Sequence, residues 1–142
     1  MNPEVSPDGR YFAYESNESG RAEIYVRPYP RVNDGRWQLS TSGGTRPAWS
    51  RDGAELFYID PANTLMAVPV RTSGTTFSAG TPAKVFDTKY AMYMASRGYD
   101  VSADGRRFVM IKAGAAGGNA PPTSVVVVAN WFEELTARVP VK

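Results

Sequence analysis

The sequence predicts an all-β fold made of three repeated antiparallel units. A four-residue turn motif occurs three times, a segment rich in strand-forming residues follows each copy, and no segment before residue 130 has sustained helical periodicity. With 142 residues, 42% of them hydrophobic and 21% charged, the chain has the length and composition of one globular domain rather than of a disordered segment.

The turn motif is Ser-x-Asp-Gly, and its copies begin at Ser6, Ser50 and Ser102. They lie at intervals of 44 and 52 residues, close to the typical period of a repeated supersecondary unit. Asp-Gly favours a tight turn, because glycine adopts positive φ without a Cβ clash and aspartate accepts hydrogen bonds from its own backbone. The aspartate of each copy is therefore interpreted as a turn cap rather than as a metal ligand or a catalytic group.

Each motif predicts a β-hairpin that forms the first half of a four-stranded unit. The second strand of the hairpin follows the glycine, and two more strand-like segments follow in the first two units. The third unit has no evident fourth strand. The predicted second, third and fourth strands are 10–14, 22–27 and 36–40 in the first unit, 54–58, 65–70 and 83–87 in the second, and 106–110 with 124–128 in the third.

Four-stranded antiparallel units repeated at this period are typical of β-propeller blades. A short C-terminal helix is expected after Asn130, because Glu133 stands at the spacing of a capping box. The whole chain is predicted to form one partial propeller domain, with blades at residues 1–41, 45–88 and 97–131 and a tail at 132–142.

The segments around the motifs resemble the blades of TolB-like, WD-repeat-like β-propellers. The resemblance is carried by Ser-Pro-Asp-Gly-Arg-Tyr-Phe-Ala-Tyr at 6–14, by Gly-Gly-Thr-Arg-Pro-Ala-Trp-Ser-Arg-Asp-Gly-Ala-Glu-Leu-Phe-Tyr at 43–58, and by Val-Val-Val-Val-Ala-Asn-Trp at 125–131. Together these segments are similar to the C-terminal sensor-like propeller of bacterial transmembrane serine/threonine kinases. The resemblance covers nearly the whole chain and implies a fold, whereas blades of this type serve many functions.

The sequence departs from this family in two ways. TolB-like propellers typically have six blades, and about three are evident here; in addition, Ala103 stands in the third motif where Pro7 stands in the first. The Gly-rich loop and the His-Arg-Asp loop of a kinase are absent, so the resemblance does not imply kinase activity.

Three blades alone would leave the apolar faces of the two end blades open, which is unusual for a soluble monomer. We therefore expect two copies to close a six-bladed ring, as a homodimer that meets through its blade faces. The alternative is that the sequence is the C-terminal half of a longer sensor propeller of a bacterial receptor kinase. A complete chain would be cytoplasmic, since it has no targeting segment, and a half cut from a receptor kinase or a TolB-like protein would be extracytoplasmic.

The composition excludes several classes of function. The absence of cysteine and histidine excludes thiol nucleophiles, the Ser-His-Asp triad and metal sites built on these residues. The net charge of +2 gives no basis for a nucleic-acid partner, and no apolar run of about 18 residues predicts a membrane span. We expect no cofactor, no metal and no catalytic residue.

The candidate binding residues lie on the inner strand of each blade, which lines the axial channel of a propeller. Two of them, Arg46 and Arg97, are expected to clamp an anion. The expected function is non-enzymatic binding of a small ligand or a protein partner at the channel mouth, and the alternative is a lyase or hydrolase that uses carboxylate, tyrosine and arginine groups. The candidates are Asn2, Glu4, Arg46, Arg97, Tyr99 and Asp100.

Overall fold

A computed structural model describes residues 2–73, 76–88 and 97–111 and the backbone of 125–128. Within these residues all regular secondary structure is β, in twelve strands. The chain divides into two compact units, Met1–Thr88 and Lys89–Lys142. The first unit contains a four-stranded blade and a five-stranded blade, and the second contains a three-stranded sheet.

The first blade is a four-stranded antiparallel sheet in sequential order. Its second strand alternates clearly, because Tyr11, Ala13 and Glu15 are buried and the residues between them are half-buried. The strands are β1 (Glu4–Val5), β2 (Tyr11–Ser16), β3 (Glu23–Pro28) and β4 (Trp37–Gln38).

The second blade has the same order and one addition. The third strand runs past the predicted end at residue 70, because its first half pairs with the outer strand and its second half forms a hairpin with an extra strand. The sequence analysis did not predict this hairpin. The strands are β5 (Thr45–Trp49), β6 (Glu55–Ile59), β7 (Thr64–Ser73), β8 (Thr76–Ala79) and β9 (Ala83–Asp87), of which β8 is the extra one.

The third blade has three antiparallel strands among the described residues, as the sequence predicts. They are β10 (Tyr99–Val101), β11 (Phe108–Ile111) and β12 (Val125–Val128). In β11, Phe108 and Met110 are buried, while Val109 and Ile111 are 38% and 40% exposed. Strand β11 therefore has one buried side and one partly exposed apolar side.

All three motif turns have the same hydrogen-bond pattern. In each, the serine hydroxyl donates to Oδ1 of the aspartate, at 2.6 Å for Ser6 and 2.7 Å for Ser50, and it accepts the N–H of the residue five positions later at 2.9 Å. The motif glycines have φ values between 68° and 71°. The turn-capping interpretation is therefore confirmed.

Blades 1 and 2 pack face to face around one hydrophobic cluster. Every second residue of a strand belongs to this cluster, as Leu56 and Tyr58 of β6 do. Phe57 and Ile59 point to the other face of the blade, where they are also buried. Buried side chains therefore lie on both faces of β6. The buried members are Tyr11, Ala13, Ile24, Val26, Leu39, Trp49, Leu56, Tyr58, Val68, Val70 and Phe77.

Some predicted features lie outside the described residues. These are the helix after Asn130, the tail at 132–142 and most of the linking segment between blades 2 and 3. In the part of the chain that the structure describes, no helix is long and apolar enough to span a membrane.

Candidate functional site

The start of each inner strand adopts the same unusual backbone conformation. Four residues before the motif serine stand Asn2, Arg46 and Gly98, with φ values of 47°, 57° and 66°. This left-handed conformation costs a residue with a Cβ about 1–2 kcal/mol, although asparagine tolerates it better than most. Because the left-handed conformation recurs in all three blades, we infer that the blade requires it. Of the three residues that adopt it, the arginine pays the highest energetic cost.

Arg46 lies at an irregular point of β5, where the pairing with β6 shifts register between Thr45 and Ala48. Its main-chain N–H donates to Oε2 of Glu15 at 3.0 Å, and its Nη1 donates to Oγ1 of Thr45 at 3.1 Å. The first contact crosses from blade 2 to blade 1, so the left-handed residue is fixed by the neighbouring blade.

Glu15 is a functional candidate that the sequence analysis missed. It is buried, with 8% of its surface exposed, and it stands nine residues after the motif serine, where blades 2 and 3 have Ile59 and Ile111. Two signals in the sequence point to it. The alternation of β2 places residue 15 on the same face as Tyr11 and Ala13, and alignment of the repeats shows a carboxylate where the other blades have isoleucine.

Glu4 also lies at the junction of the first two blades. Its main-chain oxygen accepts the indole Nε1–H of Trp49 at 3.1 Å, and its Oε1 accepts the main-chain N–H of the same residue at 3.4 Å. The structure therefore brings Glu4, Glu15 and the inner strand that begins near Arg46 together within the first unit. Asn2, at the same end of blade 1, is half-buried.

The other three candidates form a separate group in the second unit. The Arg97 Nη2 contacts Oδ1 of Asp100 at 3.1 Å, and its Nε donates to the main-chain oxygen of Tyr99 at 3.1 Å. Its guanidinium carbon lies 5.8 Å from the centroid of the Tyr99 ring, a cation–π distance. Arg46 and Arg97 belong to different units, so the anion clamp stays a prediction.

The motif aspartates are acidic groups with a structural role. Burial raises the pKa of Asp8, but hydrogen bonds from Ser6 and Arg10 outweigh this and lower it. The hydrogen bond from Ser50 likewise lowers the pKa of Asp52. Among the described residues no three aspartates and glutamates are grouped closely enough to hold a metal ion.

A cleft of about 680 Å³ lies on the outer rim of blade 1, away from the inner strands. We call it the rim cleft. The sequence analysis missed it, because the residues that enclose it come from several separate segments: the turn after β1, the ends of β2 and β3, the connection between β3 and β4, and β4 itself. It is lined by Arg10, Tyr11, Pro28, Tyr29, Pro30, Arg31, Asp34 and Trp37.

The blades, their order and the capped turns define the chain as a β-propeller protein. No family model matches the sequence, and no curated protein matches it. Its structure is similar to an oligogalacturonate lyase from Vibrio parahaemolyticus, with a TM-score of 0.54 and 15% identity over 75% of this chain and 26% of that one. It is also similar to TolB from Acinetobacter baumannii, with a TM-score of 0.39 and 15% identity over 92% of this chain and 43% of that one.

The predicted fold class is confirmed by the observed blades and by the likeness to the lyase. The chain resembles a TolB-like propeller, and it spans about a quarter of the length of the lyase, 26%. At 15% identity the likeness concerns the fold, and the function has to be argued from the residues of this chain.

Proposed function

We propose that this chain is a non-enzymatic binding module made of propeller blades, which binds a small ligand or a protein partner at the inner ends of its blades. The observation that carries the proposal is the break in the repeat at Glu15 and Arg46. Blade 3 has Ile111 at the position of Glu15 and Gly98 at the position of Arg46. The blade fold itself therefore requires neither the glutamate charge nor the arginine charge. Glu15 is a buried carboxylate where the other blades have isoleucine, and an arginine held at positive φ costs stability, a cost that is typical of functional sites.

The proposed contact residues on the first unit are Asn2, Glu4, Glu15 and Arg46. A guanidinium group binds a carboxylate through two parallel hydrogen bonds, so the ligand class that fits Arg46 is a small carboxylate or a carboxylate side chain of a partner. The group of Arg97, Tyr99 and Asp100 is proposed as a separate set of contact residues on the inner strand of blade 3.

The assembly that we propose is a homodimer that closes a six-bladed ring. Residues seven and nine positions after the motif serine are buried in blade 1 (Ala13 and Glu15) and in blade 2 (Phe57 and Ile59). In blade 3 the equivalent Val109 and Ile111 are exposed, and Val5 of blade 1 is 51% exposed. We propose that blade 3 of one copy packs on blade 1 of the other, because exposed apolar faces of this kind mark interfaces.

The assembly is tested by light scattering after size-exclusion chromatography. We expect twice the chain mass of 15.5 kDa, and a monomer after the double change Val109→Lys and Ile111→Lys. The control is Val32→Lys, an exposed valine in the connection between β3 and β4, which should leave the mass doubled. A monomeric wild-type chain overturns the homodimer and favours the alternative, in which these blades are the C-terminal half of a longer sensor propeller.

The binding site is tested by calorimetry with citrate, glucuronate and an oligogalacturonate as probes. We expect at least one carboxylate to bind, Arg46→Gly to abolish binding, and Asn63→Gly to leave it unchanged. Asn63 is the matched control because its φ of 60° is also left-handed and it lies in an exposed turn. Equal binding by the Arg46→Gly variant, or no binding by any probe, would overturn the proposed site.

The alternative function is a lyase or hydrolase, and the grouping of Arg97, Tyr99 and Asp100 is the feature that favours it. The neighbour from Vibrio parahaemolyticus is an oligogalacturonate lyase, so an oligogalacturonate is the first substrate to try. Cleavage of this probe can be measured through the ultraviolet absorbance of an unsaturated product. Detection of such a product would overturn the non-enzymatic proposal. We expect the probe to be recovered intact.

A further inference from the structure

We propose that the rim cleft binds an acidic, proline-containing peptide segment of another protein. This inference goes beyond the proposed function, since the cleft lies on the outer rim of blade 1 and shares no residue with the inner-strand site. Its volume of about 680 Å³ lies within the range of pockets that hold a short peptide or a drug-sized ligand.

The floor of the cleft is aromatic and is held from behind. The rings of Tyr11 and Trp37 meet edge to face with their centroids 6.0 Å apart. Phe77 of the extra hairpin strand packs against both, at 5.2 Å from Tyr11 and 4.9 Å from Trp37. Because blade 2 supplies this backing ring, the floor is part of the folded core rather than a surface formed by one loop.

Gly35 fixes the position of Trp37. A Cβ atom at residue 35 would lie 2.8 Å from Cη2 of the Trp37 ring, closer than such contacts allow. The connection between β3 and β4 therefore lies directly on the indole, and a side chain at position 35 would displace it.

The rim of the cleft exposes a tyrosine between two prolines. Tyr29 is 53% exposed, and its main-chain N–H donates to the carbonyl of Arg10 at 2.7 Å, which anchors the segment to the first hairpin. Pro28 and Pro30 flank it. Grooves lined by tyrosine, tryptophan and proline bind proline-containing peptides, which are already extended in the polyproline II conformation and lose little entropy on binding.

The charges of the cleft select the flanking residue of the peptide. Arg10 and Arg31 line it together with one carboxylate, Asp34. Their side chains are 47% and 74% exposed, and each has an ion pair, with Asp8 at 2.8 Å and with Asp34 at 3.1 Å. The ion pair of Arg31 with Asp34 is highly exposed, and pairs of this kind are weak, so an acidic residue beside the proline can compete with Asp34 for the Arg31 guanidinium.

Two elements that form this cleft, the β7–β8 hairpin and the connection after β3, are not part of the repeated blade. Among the described residues, blade 2 has a β7–β8 hairpin and blades 1 and 3 have no counterpart. The hairpin supplies Phe77, and the connection after β3 supplies the exposed Tyr29. Two departures from the repeat thus meet at one cleft.

The test is a fluorescence anisotropy titration of the full chain with the labelled peptide Pro-Pro-Glu-Pro-Pro-Asp-Pro. We expect saturable binding, with at least about tenfold weaker affinity for the same peptide with lysine at both acidic positions or with alanine at every proline. Absence of binding, or equal affinity for all three peptides, would overturn the proposal.

Two variants and a control connect binding to the cleft. Tyr29→Ser removes the exposed ring and Gly35→Ala displaces Trp37, so each is expected to weaken binding about tenfold or more while circular dichroism stays β-type. The control Arg51→Gln removes an exposed arginine outside the cleft and should leave the affinity unchanged. Unaltered binding by both cleft variants would contradict the inference, and this result would not affect the carboxylate test at Arg46.

Discussion

The main-chain N–H of Arg46 donates to the buried carboxylate of Glu15 at 3.0 Å and so connects the inner strand of blade 2 to the second strand of blade 1. Both partners depart from the repeat, since Gly98 and Ile111 occupy the equivalent positions of blade 3. The hydrogen bond itself needs only a backbone donor and an acceptor at the blade junction. The charges of the two residues are therefore additional to what the junction requires.

Arg46→Gly is expected to leave the free energy of unfolding unchanged or to raise it by up to about 1 kcal/mol, because glycine adopts positive φ without a Cβ clash. Urea denaturation followed by circular dichroism measures this change. Asn63→Gly, the control at φ 60°, should change stability by only a few tenths of that amount, since asparagine already tolerates the conformation. A marked loss of stability in the Arg46 variant would show that its side chain is needed for folding.

Glu15→Ile, which introduces the residue of the other two blades, is expected to lower the free energy of unfolding by about 1–3 kcal/mol. The Arg46 N–H would lose its acceptor at a half-buried position. Glu15→Gln keeps a carbonyl oxygen and should cost less. Urea denaturation measures the free energy of unfolding of both variants. An isoleucine variant as stable as wild type would mean that water replaces the carboxylate as the acceptor without cost.

The hairpin turns could be predicted from sequence because their chemistry is local. Ser6, Asp8 and Gly9 form a complete hydrogen-bonded turn within six residues, and the same letters recur twice. The outer strand Ala83–Asp87 was also predicted with its observed bounds, because it has a clear apolar pattern between turn residues.

The features that the sequence did not reveal depend on pairing between distant segments. The strand Thr76–Ala79 has only one buried side chain, and it becomes a strand because the far half of β7 offers it an edge. Glu15 is recognisable only once the three repeats are aligned and the neighbouring blade is in place. The rim cleft requires Phe77 to lie behind Trp37, a contact between blades that no local pattern encodes.

Glu23→Gln is expected to lower the free energy of unfolding by about 3 kcal/mol. The carboxylate is 1% exposed and accepts the N–H of Gly43 at 3.0 Å, the Nε–H of Arg21 at 2.6 Å and the hydroxyl of Ser40. An amide turns one of these acceptors into a donor that faces another donor. Glu18→Gln, the same change in a surface ion pair with Arg36, should cost less than about 0.5 kcal/mol in the same denaturation experiment.

The motif turns predict a loss of stability in acid. The pKa values of Asp8, Asp52 and Asp104 lie below the ordinary value of 3.8, because the serine of each motif donates to the carboxylate, although burial opposes this at Asp8. A carboxyl group whose pKa is lower when folded stabilises the fold above pH 3.8, and this contribution is lost as the pH falls through the folded-state pKa. Urea midpoints measured at decreasing pH should fall in this range, and less steeply in Asp52→Asn than in wild type.

The buried phenol of Tyr58 is expected to make the fold less stable in alkaline conditions. Burial, together with the charges of Asp60 and Glu23, raises the pKa of this phenol from 10.0 to about 12. The folded chain therefore holds the proton more tightly than the unfolded chain, so the stabilisation is complete below pH 10 and is lost as the pH rises towards 12. Urea midpoints should fall over this interval in wild type and stay flatter in Tyr58→Phe, whose ring fills the same place in the cluster between the blades. At neutral pH the two proteins should agree within about 0.5 kcal/mol, and an unchanged alkaline slope in the variant would mean that another group controls it.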